Sequence, residues 1–147
     1  SKIKFIIKDI VLISKVIDGK FPDYEKVIPS DTRKEVLANV VDFISAVDRI
    51  KSLSADRKGV IKINIENNKI RFFINDTSSG EGIEEISAVY EGDNLEIGFN
   101  SGYLMDIANC IQDENITLKP KDATSPIIIK DQKDPDSTYV VMPMRVV

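Results

Sequence analysis

Thr32-Arg33-Lys34-Glu35-Val36-Leu37-Ala38-Asn39-Val40-Val41-Asp42-Phe43 admits two readings, and the architecture follows from the choice between them. Thr32 with Glu35 three residues on has the form of a capping box, which would start one long helix at Arg33. The rival is a strand over Lys34 to Ala38, followed by a helix capped by Asn39 with Asp42 in its first turn. Val40, Ile44, Val47 and Ile50, flanked by Val41 and Phe43, supply the apolar helical stripe in either case. Arg49 and Lys51 near its end complement the helix dipole and need no functional explanation.

Working outward, the flanking segments favour the strand. Downstream lie Val60 to Ile65, Lys69 to Asn75 and Ile83 to Glu91, each alternating with period 2 and separated by Asn67-Asn68 and by a polar loop from Asp76 to Gly82. After the turn Gly92-Asp93-Asn94 comes a strand marked by Leu95, Ile97 and Phe99. Asn100 or Ser101 then caps a helix with Tyr103, Leu104, Ile107, Ala108 and Ile111 at helical spacing, ending by Gln112. Three more strands are predicted: Asn115 to Lys119, Ser125 to Lys130 and Thr138 to Met144. The second half therefore reads βαβββ. With a strand at Lys34 to Ala38 the first half reads βαβββ too, an architectural repeat whose halves can share one core. The fold class is α+β, with two helices packed on antiparallel sheets.

Upstream, Ser1 to Ile17 reads as a hairpin turning at Lys8-Asp9, and a two-stranded hairpin is not stable alone. Asp18-Gly19-Lys20-Phe21-Pro22-Asp23-Tyr24 is a turn and linker, and Glu25 to Pro29 a short extended piece. A domain boundary is placed here, and the hairpin either joins the following domain or is the remnant of a preceding one. The opening at Ser1, directly in strand-like sequence, reads as part of a longer chain.

At the other end, Tyr139-Val140-Val141-Met142-Pro143-Met144-Arg145-Val146-Val147 stays apolar where chain ends usually become polar. Pro143 cannot donate to a ladder, so the strand leaves the sheet there. Two methionines beside a proline form a deformable apolar surface suited to gripping another chain. A last strand tucked into the core is the plainer alternative.

Of 147 residues, 42% are apolar and 30% charged, which suits one globular domain, and the net charge of −4 rules out a polyelectrolyte binder of nucleic acid. The chain has no histidine, which removes His-dependent triads and the usual zinc ligand. The single cysteine, Cys110, excludes an internal disulfide and reads as a small core residue. No run reaches membrane-spanning length and no signal peptide is visible, so the cytoplasm is expected. Glu81, Glu84 and Glu85 cluster, as do Asp131, Asp134 and Asp136. Neither group has a partnering base or a calcium-loop pattern, so each reads as a solvated face. Gly80 and Gly82 lack the Lys-Ser/Thr of a phosphate loop. No catalytic residue, metal or cofactor is expected.

Three blocks are more specific: Asp18 to Tyr24 with Val27-Ile28-Pro29; Leu95-Glu96-Ile97-Gly98-Phe99-Asn100 with Tyr103-Leu104; and Tyr139 to Arg145. In order and spacing the chain resembles the C-terminal part of the bacterial DNA sliding clamp family, the beta subunit of DNA polymerase III. The resemblance implies a DNA-clamp fold built of doubled βαβββ units, with residues 1–25 the last hairpin and linker of a middle domain and 26–147 the C-terminal domain. It implies a non-enzymatic processivity factor whose two subunits close head to tail around duplex DNA, held loosely. It further implies a groove that takes linear peptides of the replicative polymerase, the clamp loader and repair proteins. The matching groove positions are Pro22, Lys26 and Val27 on the linker side, Asn100, Tyr103 and Ser125 nearby, and Val140, Met142, Pro143, Met144 and Arg145 in the tail. Lys26 departs from the family's usual Arg, and Val147 extends beyond its usual end. Leu53, Glu81, Glu84 and Glu85 fall where the second subunit would dock, their acidity facing a basic edge. Against this stand a hydrolase or transferase using clustered carboxylates, and a bare assembly module whose apolar tail is core.

Overall fold

Two asparagines, 39 and 100, mark the same event in each half of the molecule: a strand ends and a helix begins. The computed structural model describes residues 1–32, 34–53, 59–76 and 80–145. The Asn39 side chain accepts from the N–H groups of Val41 (3.0 Å) and Asp42 (3.1 Å), and the Asn100 side chain from those of Gly102 (2.8 Å) and Tyr103 (3.3 Å). Each satisfies two donors that the first helical turn leaves open.

The elements in order are a hairpin β1 (Lys2–Ile7) and β2 (Ile10–Lys15), then β3 (Val36–Asn39), α1 (Val40–Ser52), β4 (Val60–Glu66), β5 (Lys69–Asp76) and β6 (Gly80–Val89). The second half contains β7 (Leu95–Asn100), α2 (Ser101–Ala108), β8 (Asn115–Lys119), β9 (Ile127–Lys130) and β10 (Tyr139–Val141). The strand reading of the quoted stretch holds, starting two residues later and ending one later than expected: Val36 and Ala38 are buried, and Asn39, the last strand residue, caps the helix. The capping box is overturned at its ends. Lys34 and Glu35 are not helical; Lys34 pairs with Asp93 at 2.7 Å and Glu35 with Lys119. Arg33, where the long helix would have begun, lies outside the described residues.

The leading strand of each half joins the other half's ladder. β3 pairs with β8, extending β8-β9-β10, while β7 pairs with β4, extending β4-β5-β6. All pairings are antiparallel, and β3 meets β6 through Leu37↔Val89 and Ala38↔Ala88 to give one eight-stranded order. The correspondence reaches single hydrogen bonds. Val40 N–H, at the start of α1, donates to Glu114 O just before β8 (2.9 Å); Ser101 N–H, at the start of α2, donates to Gly59 O just before β4 (2.8 Å). Period-2 alternation puts Ile61, Ile63, Ile65, Ile70, Phe72, Ile97 and Phe99 into one core with Phe43, Val47 and Ile50 of α1 and Leu104 and Ala108 of α2. Phe43 and Phe72 meet edge to face at 5.4 Å, a geometry that adds to their burial.

Several sequence expectations are corrected. Tyr24–Lys26 is a 3₁₀ turn, not extended, with Val27 N–H donating to Tyr24 O at 3.0 Å. The expected Asp76–Gly82 loop is mostly ladder, since Asp76 pairs with Gly80 and Ile74 with Gly82; Thr77, Ser78 and Ser79 lie outside the described residues. α2 stops at Ala108, so Cys110 is exposed on the following turn rather than in the core. Asp131 is 2% exposed, not a solvated loop residue. Its carboxylate accepts from Gln112 N–H (2.7 Å) and Lys133 N–H (2.9 Å), which hold it below the usual carboxylate range. Those bonds replace the hydration it gives up. The hairpin β1–β2 turns at Lys8-Asp9 as expected, and both strands are exposed along their whole length.

Candidate functional site

Pro143 sets the local geometry of the C-terminal tail. Without an N–H it ends β10 at Val141, and the next contact with the sheet is a single bridge in which Met144 N–H donates to Gly98 O of β7 at 2.8 Å. Between α2 and this strap lies a cavity of about 380 Å³ lined by Tyr103, Asp106, Ile107, Val140, Val141, Met142 and Met144. Apart from Asp106 and the Tyr103 hydroxyl, its side chains are apolar. Val141 is buried beneath it, whereas Met142 is 59% and Tyr103 62% exposed. The tail is therefore partly core and partly surface, changing at one residue.

Across the strap is a second cavity of about 400 Å³, lined by Lys62, Glu96, Gly98, Ala123, Thr124, Pro143, Met144 and Arg145. Met144 lines both and forms their common wall, so the two cavities are adjacent lobes on either side of the strap. The second lobe is polar: Lys62 pairs with Glu96 at 3.3 Å and stands 5.5 Å from the Phe73 ring centre. Its Ala123-Thr124 wall is held by Asp122. That carboxylate accepts from Ser125 Oγ (2.8 Å), Thr124 N–H (2.8 Å), Thr124 Oγ1 (2.9 Å) and Ser125 N–H (2.7 Å). These donors, the Ser125 hydroxyl foremost, push the carboxyl far below the usual carboxylate range.

Of the expected groove residues, the structure brings together Tyr103, Val140, Met142, Pro143, Met144 and Arg145. Asn100 is the cap that fixes the turn bearing Tyr103. Ser125 spends its hydroxyl on Asp122 beside the polar lobe. Among the described residues, Pro22, Lys26 and Val27 line neither lobe; Lys26 pairs with Asp23 at 2.9 Å. Val146 and Val147 lie outside the described residues. Asp106 and Ile107 were not anticipated, although they stand three and four positions after Tyr103 and so share its helical face. Lys62, Glu96 and Thr124 carried no comparable signal, because strand pairing alone brings them near the tail.

The residues expected at a subunit contact lie around the end of α1 and the start of β6. Leu53 caps α1 and packs over Gly82, where an added Cβ would force the Leu53 side chain to shift. Glu84 accepts from Arg49 Nη2 at 2.8 Å, and Glu85 from Arg71 Nε at 2.6 Å. Each of these guanidinium groups lowers its partner's carboxyl pKa. The run is thus less negative than its composition implies, with Glu81 lacking a partner among the described residues. β3 pairs with β6 only at Ala88 and Val89, so Gly80–Ser87 leave a second edge unpaired among the described residues.

The described residues form a doubled βαβββ frame with two adjoining cavities where β7 meets the tail. Residues 25–145 match the family described as DNA polymerase III beta subunit, C-terminal domain. The beta sliding clamp of Caulobacter vibrioides strain NA1000 is 37% identical over 145 residues, 99% of this chain and 39% of that protein. The Pseudomonas putida beta sliding clamp is 38% identical over 132 residues, 90% of this chain and 36% of its own length. Among solved structures, the Bartonella birtlesii sliding clamp bound to griselimycin superposes with a TM-score of 0.93 at 39% identity, covering 99% of this chain and 39% of that one. The Pseudomonas aeruginosa sliding clamp with ligand gives 0.91 at 34% identity, covering 99% and 40%. The chain belongs to the DNA polymerase III beta subunit family, in its C-terminal domain, and spans about two-fifths of the length of these relatives.

Proposed function

We propose that this chain is the C-terminal part of a sliding clamp, a non-catalytic processivity factor of the replicative polymerase, and that its task is to hold linear peptides. The carrying observation is the groove at the Met144–Gly98 seam: an apolar lobe with exposed Met142 and Tyr103 joined to a polar lobe with Arg145. Leucine or phenylalanine anchors suit the first lobe and hydrogen-bonding groups the second. Polymerase, clamp loader and repair proteins are the partners that family membership supports. A second subunit would dock on the Leu53, Glu81, Glu84 and Glu85 face, and the closed ring would surround duplex DNA in the cytoplasm. Residues 1–25 form the end of a preceding domain, which accounts for a hairpin with both faces exposed. Pro22, Lys26 and Val27 contribute to the groove from that side.

The test is a titration with a short peptide carrying glutamine and Leu and Phe anchors, observed through the Tyr103 ring and the Met142 and Met144 methyls by NMR. Saturable shifts at these groups are expected. Unmoved resonances at millimolar peptide would refute the groove. The assembly-module reading is disfavoured by the exposure of Met142. The hydrolase reading is disfavoured by Glu84, Glu85 and Asp131, whose carboxylates are occupied by arginine or backbone donors.

A further inference from the structure

We infer that Asp122 is a positioning residue of the groove, setting the wall of the polar lobe without touching the peptide; this rests on the peptide-docking reading above. Ala123 and Thr124 line the lobe opposite Pro143, Met144 and Arg145, but they lie in the non-repetitive stretch between β8 and β9 and have no ladder to hold them. Among the described residues, the side-chain hydrogen bonds of this stretch converge on one group. Asp122 Oδ1 takes both Thr124 donors and Ser125 N–H, while Oδ2 takes the Ser125 hydroxyl. Bonds to an ionised acceptor are about twice as strong as neutral ones, so four together fix the wall before a ligand arrives. A preset wall spares the peptide the cost of ordering the loop. The tail supplies the other wall through the Met144–Gly98 bridge, so each wall has its own anchor. Ser125 then acts through Asp122, being bonded to it instead of facing a ligand.

The experiment compares wild type, Asp122→Ala, Asp122→Asn and Ser125→Ala by calorimetric titration with the same glutamine-, Leu- and Phe-bearing peptide. A small apolar probe, benzene, is followed in parallel by the Met142 methyl shift. Asp122→Ala is expected to lower peptide affinity about tenfold. Asp122→Asn keeps Oδ1, and its amide can donate to Ser125 Oγ, so it should restore most of the affinity. Ser125→Ala should cost about threefold. Benzene-induced shifts should be the same in all four proteins, since the apolar lobe has a separate frame; a general loss of structure would change them. Peptide binding equal to wild type in Asp122→Ala overturns the inference, as does Asp122→Asn failing to rescue. Should Asp122→Ala not fold, full affinity in Ser125→Ala overturns it alone. If wild type itself binds no peptide, the docking reading fails first, which keeps the two failures distinct.

Discussion

The two halves are built alike, yet one seam is sealed and the other open. In the first half, α1 runs for thirteen residues and buries Val40, Phe43, Ala46, Val47 and Ile50; it packs on β5 and β6, and β6 joins β3 through consecutive pairs. In the second, α2 runs for eight residues and buries Ser101, Leu104 and Ala108, while β10 is three residues long and, among the described residues, the tail beyond it meets β7 through the Met144 bridge alone. Counting outward from the caps, Leu37 and Gly98 each lie two residues before an asparagine. The Gly98↔Met144 bridge therefore corresponds to the Leu37↔Val89 pair. One pattern thus yields paired strands where the strand continues and flanking cavities where a proline stops it.

The sharpest division between the seams lies in what truncation removes. Phe43→Ala deletes a fully buried ring in contact with Phe72 and should cost about 3–5 kcal/mol in denaturant unfolding. Peptide affinity in the protein that remains folded should be unchanged. Met142→Ala should do the reverse. Met142 is 59% exposed, so stability should fall by about 0.5 kcal/mol, while peptide affinity falls about tenfold. If Met142→Ala instead costs 2 kcal/mol or more, the tail is core and the second seam is sealed like the first.

The frame was legible because periodicity is dense in it. Alternation in Val60 to Ile65 and Lys69 to Asn75, and Asn39 with Asp42 beyond it, specify strands and a helix start that only long-range pairing then completes. The tail was legible as an edge from Pro143. What stayed hidden depends on length and partners. Nothing local says that α2 stops at Ala108, so the helical spacing points Cys110 into the core while the turn after the helix leaves it exposed. Nothing local says that Asp131 meets the Gln112 N–H from nineteen residues away, so a buried hydrogen-bond acceptor was indistinguishable from a solvated acid. The polar lobe was unreadable for the same reason: Lys62 and Glu96 come to line one cavity with Arg145 once β7 lies between β4 and the tail.

The caps provide a matched pair. Asn39→Ala and Asn100→Ala each remove two equivalent bonds, and each should cost about 1 kcal/mol. Only Asn100 holds the turn bearing Tyr103, so Asn100→Ala should also lower peptide affinity by about threefold. Paired chemical denaturation and peptide titration measure this. An equal effect of both variants on binding would mean that the seams communicate through the shared core, contrary to their separate frames.

The smallest effect concerns how each half is clipped. The first uses Arg49 on Glu84, side chain to side chain at a surface where Glu84 keeps 27% of its exposure; the second uses Asp131 on backbone N–H groups, buried. Arg49 lowers the folded pKa of Glu84 below its ordinary 4.5. A lowered folded pKa contributes stability above the unfolded value and loses it as pH falls through the folded one. Stability should therefore hold from neutrality down to the carboxylate range and decline below it. Salt should distinguish the clips, because an exposed pair is screened at about 0.5 M and a desolvated carboxylate with fixed donors is not. Glu84→Gln should flatten part of the acid decline at low salt and change nothing at high salt. Asp131→Asn should flatten it at both. A salt-independent response in Glu84→Gln would show that the Arg49 pair is shielded like the second clip, and that the two halves are held shut in the same way.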